Sequence, residues 1–144
     1  MIRTIPELPY RRVLCAVDGT WDSPDSEHLV VHACVVPGEF VLVMRGVDAG
    51  GIAELRRAAV AQPRSSIERV AATLRPRPPQ VVVTAGCPRT ALADLAGHYG
   101  ADLVVVETGG RSRLGHALFG SVAQEVMARA PCDVLAVAVP VVPP

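Results

Sequence analysis

The chain predicts an α/β fold: an open five-stranded parallel sheet with helices on both faces, a Rossmann-like sandwich in the order βαβαβαβαβ. Three observations predict it. Five short runs are rich in valine and do not alternate with polar residues, as strands buried on both faces do. The segments between them are long enough for crossover helices. With 144 residues, the chain suffices for one domain with a core of ordinary size.

Taken in order, "VLCAV" (13–17) is the first strand. Ser23-Pro24-Asp25 then supplies an N-cap, a proline at the first helical position and an acidic first turn. The helix so opened carries His28 and His32 one turn apart. "FVLVM" (40–44) is the second strand. Pro63 interrupts the next connection, after which Ser65 and Glu68 form a capping box ahead of a stripe of Ile67, Val70, Ala71 and Leu74. "RPRPP" (75–79) is a stiff connector into the third strand, "VVVTA" (81–85). Pro88 opens a helix with Leu92, Leu95 and Ala96 on one side, and Gly100 is placed to end it. "LVVVE" (103–107) is the fourth strand. A helix starts after Gly120-Ser121, carries Val122, Val126, Met127 and Ala130, and stops at Pro131. "VLAVAV" (134–139) closes the sheet. Residues 1–9 and 140–144 read as tails around a domain spanning 10–139.

Half the residues are hydrophobic but only 3% are aromatic, so the core must be built of Val, Ala and Leu. Lys+Arg and Asp+Glu balance at 14 each, which removes the electrostatic case for nucleic-acid or membrane-surface binding. Cys15, Cys34, Cys87 and Cys132 fall in no CxxC spacing and read as free thiols. The first ten residues lack an apolar signal region, and no apolar run approaches the roughly 20 residues of a membrane span. The expectation is a cytoplasmic protein.

In open α/β sheets, ligands bind beyond the carboxyl ends of the strands, where the strand order reverses. Two strand ends carry unusual residues. "AVDGT" places Asp18 and Gly19 after the first strand, and "ETGGRSRLG" leads from the fourth strand into Gly120-Ser121-Val122. Glycines permit close approach by a ligand, and a helix start offers free N–H groups to an anion. If the two strands are neighbours, a carboxylate suited to ribose hydroxyls and a phosphate cradle share one crevice. Bland readings stand beside these: Asp18 as a turn cap, Gly109-Gly110 as an ordinary loop, Arg111 and Arg113 as solvated surface charges. His28 and His32 lack a third ligand, so no metal site is assigned. No nucleophile or catalytic base is readable from spacing.

These residues have a family look. "RRVLCAVDGT" resembles the opening strand of the universal stress protein family, and "GADLVVVETGGRSRLGHALFGSVAQEVMARAPCDVLAV" resembles its closing half. The likeness covers roughly residues 10 to 139. The second segment holds most of the pattern Gly-x2-Gly-x9-Gly-Ser, by which the family's nucleotide-binding branch holds ATP. Gly110, Gly120 and Ser121 fit that spacing, while the first glycine of the pattern falls on Glu107. The resemblance implies sheet order 3-2-1-4-5, nucleotide contact by Asp18, adenine recognition near Gly46 at the end of the second strand, and a phosphate cradle of Gly110, Gly120, Ser121 and Val122. It implies ATP or AMP as the ligand, Mg with ATP, and a homodimer through the fifth strand. It also implies a nucleotide-responsive binding module rather than a fast enzyme, with slow ATP hydrolysis the one turnover left open. The alternative is a member of the non-nucleotide branch, a dimer acting through protein contacts. An adenylyl-transferring enzyme ranks last, because no metal ligands or base can be named for it.

Overall fold

The computed structural model describes residues 10–16, 26–74, 77–108 and 120–137. Their elements are β1 (Arg12–Ala16), β2 (Glu27–Cys34), α1 (Glu39–Met44), α2 (Ala49–Ala71), β3 (Gln80–Ala85), α3 (Pro88–His98), β4 (Leu103–Glu107), α4 (Ser121–Arg129) and β5 (Asp133–Val137). The strands form one five-stranded sheet in the order β3-β2-β1-β4-β5. Every neighbouring pair is parallel.

Alternation along β1 and β4 divides the core in two. Leu14, Val104 and Val106 point to the face covered by α3 and α4, where they meet Leu92, Ala96, Ala123 and Val126. Val13, Cys15, Leu103 and Val105 point to the other face, with Tyr10 against them. Each fully buried aliphatic side chain of this kind contributes about 1.5–3 kcal/mol of transfer free energy. α2 packs on β3 and β2, and right-handed connection places it on the face opposite α3. The amino ends of the strands are pinned by polar contacts. The Asp102 carboxylate accepts from the Arg11 and Arg12 amides at 2.7 and 3.0 Å. The Arg12 guanidinium in turn donates to Glu27 and, at 2.7 Å, to the Tyr99 carbonyl.

The structure corrects the sequence reading between residues 26 and 71. The second strand is Glu27–Cys34, where a helix was expected, and "FVLVM" lies in helix α1. In β2 the buried residues are Leu29 and Val31, the two-residue alternation of a strand with one face on the core. His28 and His32 therefore share a strand face, not a helix face. Only residues 17–26 separate β1 from β2, fewer than the dozen or more that an ordinary helical crossover takes. Ser23-Pro24-Asp25 lies outside the described residues. Pro63 does not divide the next connection either. α2 runs through it for 23 residues from an Asp48 cap, whose carboxylate accepts from the Gly51 amide at 2.8 Å. Ser65 caps nothing: its hydroxyl donates to the Gln62 carbonyl within the helix at 2.9 Å. The Arg64 guanidinium ties this stretch to the Val83 carbonyl at 3.1 Å, which holds the helix against β3 across the proline.

The later elements follow the sequence closely. Pro88 stands in the first turn of α3, and Gly100 (φ +60°) ends it, with Ala101 N–H donating to the Ala96 carbonyl at 2.9 Å. β3 and β4 match their predicted runs to within one residue. The described part of the last strand is Asp133–Val137.

Candidate functional site

β1 and β4 are neighbours, and their register closes where Ala16, the last residue of β1, lies opposite Val106. Beyond this pair the sheet opens into a cavity of about 310 Å³. Its floor is Ala16 and Val106, α3 contributes Leu92, and the first turn of α4 supplies Gly120, Ser121, Val122 and Ala123. Glu107, the final residue of β4, stands on its wall and is half-buried. The small side chains of Ala16 and Ala123 leave this space open where larger ones would fill it.

A short relay fixes the first turn of α4 against the sheet. The Thr108 amide donates to the Val137 carbonyl at 3.0 Å, and the Thr108 carbonyl accepts from the Gly120 amide at 3.0 Å. The Gly120 carbonyl then accepts from the Gln124 amide, closing the first helical turn. No side chain caps this helix among the described residues. Its N-terminal amides at Ser121, Val122 and Ala123 therefore lack intrahelical acceptors and carry the positive end of the helix dipole. An anion entering the cavity meets those amides, while the Gly120 amide is already engaged by Thr108. Among the described residues, the one carboxylate on the cavity wall is that of Glu107.

Val122, Ser121 and Gly120 thus come together with Glu107 at one strand end, as the sequence suggests. Asp18 and Gly110 lie outside the described residues, as do Trp21, Arg111 and Arg113. Gly46 is misplaced in the sequence reading. It ends no strand: it follows α1 at φ +80°, where the Val47 amide donates to the Leu42 carbonyl and the Gly46 amide to the Val43 carbonyl. That pair of bonds is a Schellman helix stop, which explains the glycine by backbone conformation. Sequence reasoning missed Ala16, Thr108 and Ala123. The first two sit at strand ends already suspected, and their signal was position rather than chemistry.

None of the four cysteines is in a disulfide; Cys15 is buried and Cys87 exposed. Burial pushes the Cys34 thiol above its ordinary pKa. No three His, Cys, Asp or Glu side chains cluster as a metal site would require among the described residues. No helix of the described chain is long and apolar enough to cross a membrane.

The sequence profile of the universal stress protein family matches residues 9–138. The chain belongs to the universal stress protein family. Solved structures agree on the fold. The hypothetical protein MJ0577, subject of a structure-based functional assignment, superposes with a TM-score of 0.65 at 17% identity, over 91% of this chain and 97% of that one. The universal stress protein UspA from Lactobacillus plantarum gives 0.60 at 19% identity, over 89% and 97%. A universal stress protein crystallised in complex with cAMP gives 0.56 at 25% identity, over 89% and 97%. No curated protein matches the chain. In this universal stress protein the side chain of Glu107 stands on the cavity wall beside the first turn of α4.

Proposed function

We propose that this universal stress protein binds an adenine nucleotide in the cavity at the carboxyl ends of β1 and β4, and acts through its bound state as a regulatory module rather than as an enzyme. The observation that carries this reading is the cavity itself, bounded by the first turn of α4, whose amides have no intrahelical acceptor and no side-chain cap among the described residues. A phosphate there gains hydrogen bonds and the helix dipole together. That a 25%-identical family member was crystallised with cAMP supports the ligand class. Asp18 and Gly110 are the further residues the family pattern assigns to this ligand. Mg accompanies the triphosphate where ATP is the occupant.

Glu107 favours a second reading, a family member that has lost nucleotide and works through protein contacts alone. Calorimetric titration with ATP, AMP and cAMP, with a search for co-purified nucleotide, separates the two. Saturable binding of any of the three at the micromolar level supports the first reading, and silence from all three supports the second. In both readings β5 is the last strand of the sheet, with no described strand beyond it. Pairing with its twin would continue the sheet and cover Leu135 and Val137, each 36% exposed. A β5-paired homodimer protects the amides of 133–137 from hydrogen exchange as concentration rises, and a monomer does not.

A further inference from the structure

Glu107 is a carboxylate without a counter-charge. Glu27, Glu39, Glu68 and Glu125 each meet an arginine, and Glu54 stands in solvent. Glu107 is half-buried, yet among the described residues no hydrogen bond or ion pair engages it. Its neighbours on the cavity wall include Ala16, Leu92, Val106, Val122 and Ala123, whose apolar side chains offer the charge nothing. An anion drawn partly out of water without a counter-charge costs free energy, and a cation in the cavity would recover it.

Given a nucleotide in this cavity, as proposed above, we infer that Glu107 is a ligand to a divalent cation of the Mg²⁺ class, shared between its carboxylate and the nucleotide's phosphate. The amides of Ser121, Val122 and Ala123 are free to take phosphate oxygens, and Glu107 lines the same cavity. Two anionic groups facing one space repel each other, whereas a dication bound by both turns that repulsion into attraction. The donor set fits a hard cation. Carboxylate, phosphate and water oxygens are the ligands Mg²⁺ takes, and it is commonly held by one or two carboxylates together with substrate phosphates. One acidic side chain is therefore enough, and a cluster of three protein ligands is not required. No cysteine or histidine lines the cavity among the described residues, so the softer donors that select zinc or copper are not supplied.

Glu107 then acts with opposite sign in two conditions. Toward the nucleotide alone it is a like charge, and removing it strengthens binding. Toward the nucleotide with its cation it is a ligand, and removing it weakens binding. AMP separates the two effects better than ATP does. A monophosphate holds Mg²⁺ only weakly by itself, so any strong cation dependence of AMP binding has to come from the protein. A triphosphate brings its own cation and blurs the contribution of the side chain.

Calorimetric titration of AMP into the native chain, Glu107→Gln and Glu107→Asp, each in chelator and in excess Mg²⁺, tests the inference. Electron paramagnetic resonance of Mn²⁺, standing in for Mg²⁺, reads the cation itself. The native chain binds AMP roughly tenfold or more tightly in Mg²⁺ than in chelator, since losing even an outer partner of a metal costs about 10–100-fold in its affinity. The free Mn²⁺ signal falls on adding native protein only when AMP is present. Glu107→Gln binds AMP more tightly than the native chain in chelator and less tightly in Mg²⁺, and leaves the Mn²⁺ signal unchanged. Glu107→Asp keeps the carboxylate and keeps the cation dependence. Circular dichroism checks the fold of each variant, and the native comparison decides without either. AMP affinity that is equal in chelator and Mg²⁺, or a cation dependence that folded Glu107→Gln retains in full, overturns the inference and leaves the nucleotide site standing. Absence of AMP and ATP binding by the native chain in both conditions overturns the nucleotide reading, and the cation site with it.

Discussion

Replacing Glu107 by glycine should raise ATP affinity more than AMP affinity, and leave adenosine nearly unchanged. Glu107 and the first turn of α4 line the same cavity, so a phosphate held by the α4 amides shares that space with the carboxylate. At roughly 6 Å and an effective dielectric of about 20, each pair of like unit charges costs about 2.8 kcal/mol. Since about 1.4 kcal/mol is tenfold in affinity, one such pair is worth roughly a hundredfold. Glu107 is half-buried, and solvent screening reduces the figure toward tenfold for phosphates at the mouth. Titration calorimetry of both variants against adenosine, AMP and ATP, at fixed ionic strength, reads the gradient directly. Higher salt should narrow the difference between variants for ATP and leave adenosine alone. An equal gain for adenosine and ATP would mean that bulk, not charge, is what the glutamate contributes. No gain for any ligand, with tight ATP binding by the native protein, would refute the electrostatic reasoning.

Three further outcomes are expected. Gly46→Ala forces a Cβ into φ +80° and should cost about 1–2 kcal/mol, read as a lower denaturation midpoint with unchanged nucleotide titration. Leu14→Ala, at a fully buried position under α3 and α4, should cost about 2–5 kcal/mol in the same assay, and a loss below 1 kcal/mol would mean that this face is not the main core. The phenol of Tyr10 is held above its ordinary 10.0 by burial first and then by its hydrogen bond to Asp133. The folded state thus favours the protonated phenol. Its contribution is complete below pH of about 10 and is lost as pH rises through the folded value. Alkaline absorbance titration in a Tyr99→Phe background should show a raised midpoint that Asp133→Asn lowers.

How much of this was legible in the sequence depended on whether local chemistry and burial agreed. β4, α3 and α4 were readable because local signals and burial agree there: buried valines in β4, a first-turn proline and a terminal glycine in α3, and a Gly-Ser start in α4. The exchange of strand and helix between 27 and 44 was not. Both "EHLVVHAC" and "FVLVM" carry β-branched residues, and the first is the more polar, so a burial-based reading prefers the second as the strand. The structure chooses by register instead. Glu27 pairs opposite Arg12 in an ion pair, and Leu29 lies opposite Leu14 in the core. "FVLVM" is left between Gly38 and Gly46, both at positive φ, which frame one short helix. A run of strand-prone apolar residues is thus held as an exposed helix, an outcome that no local signal in the sequence announces.

The candidate site was legible in part for a related reason. Gly120, Ser121 and Val122 announce a helix start, and a helix start offers donors in any fold. Glu107 announces a charge but not its consequence, which depends on the sheet order that brings β4 beside β1. With that order established, one positive helix end and one fixed negative charge share a cavity of about 310 Å³. A carboxylate near a helix N-terminus is itself a stabilising arrangement, typically worth about 0.3–1 kcal/mol. A phosphate must therefore compete with Glu107 for the same helix end as well as tolerate its charge, and both effects grow with the number of negative charges that enter. A monophosphate meets the smaller penalty. On the proposed reading, Glu107 should therefore weaken binding of the cation-free nucleotide in step with the number of negative charges on it, which the Glu107→Gly titrations measure.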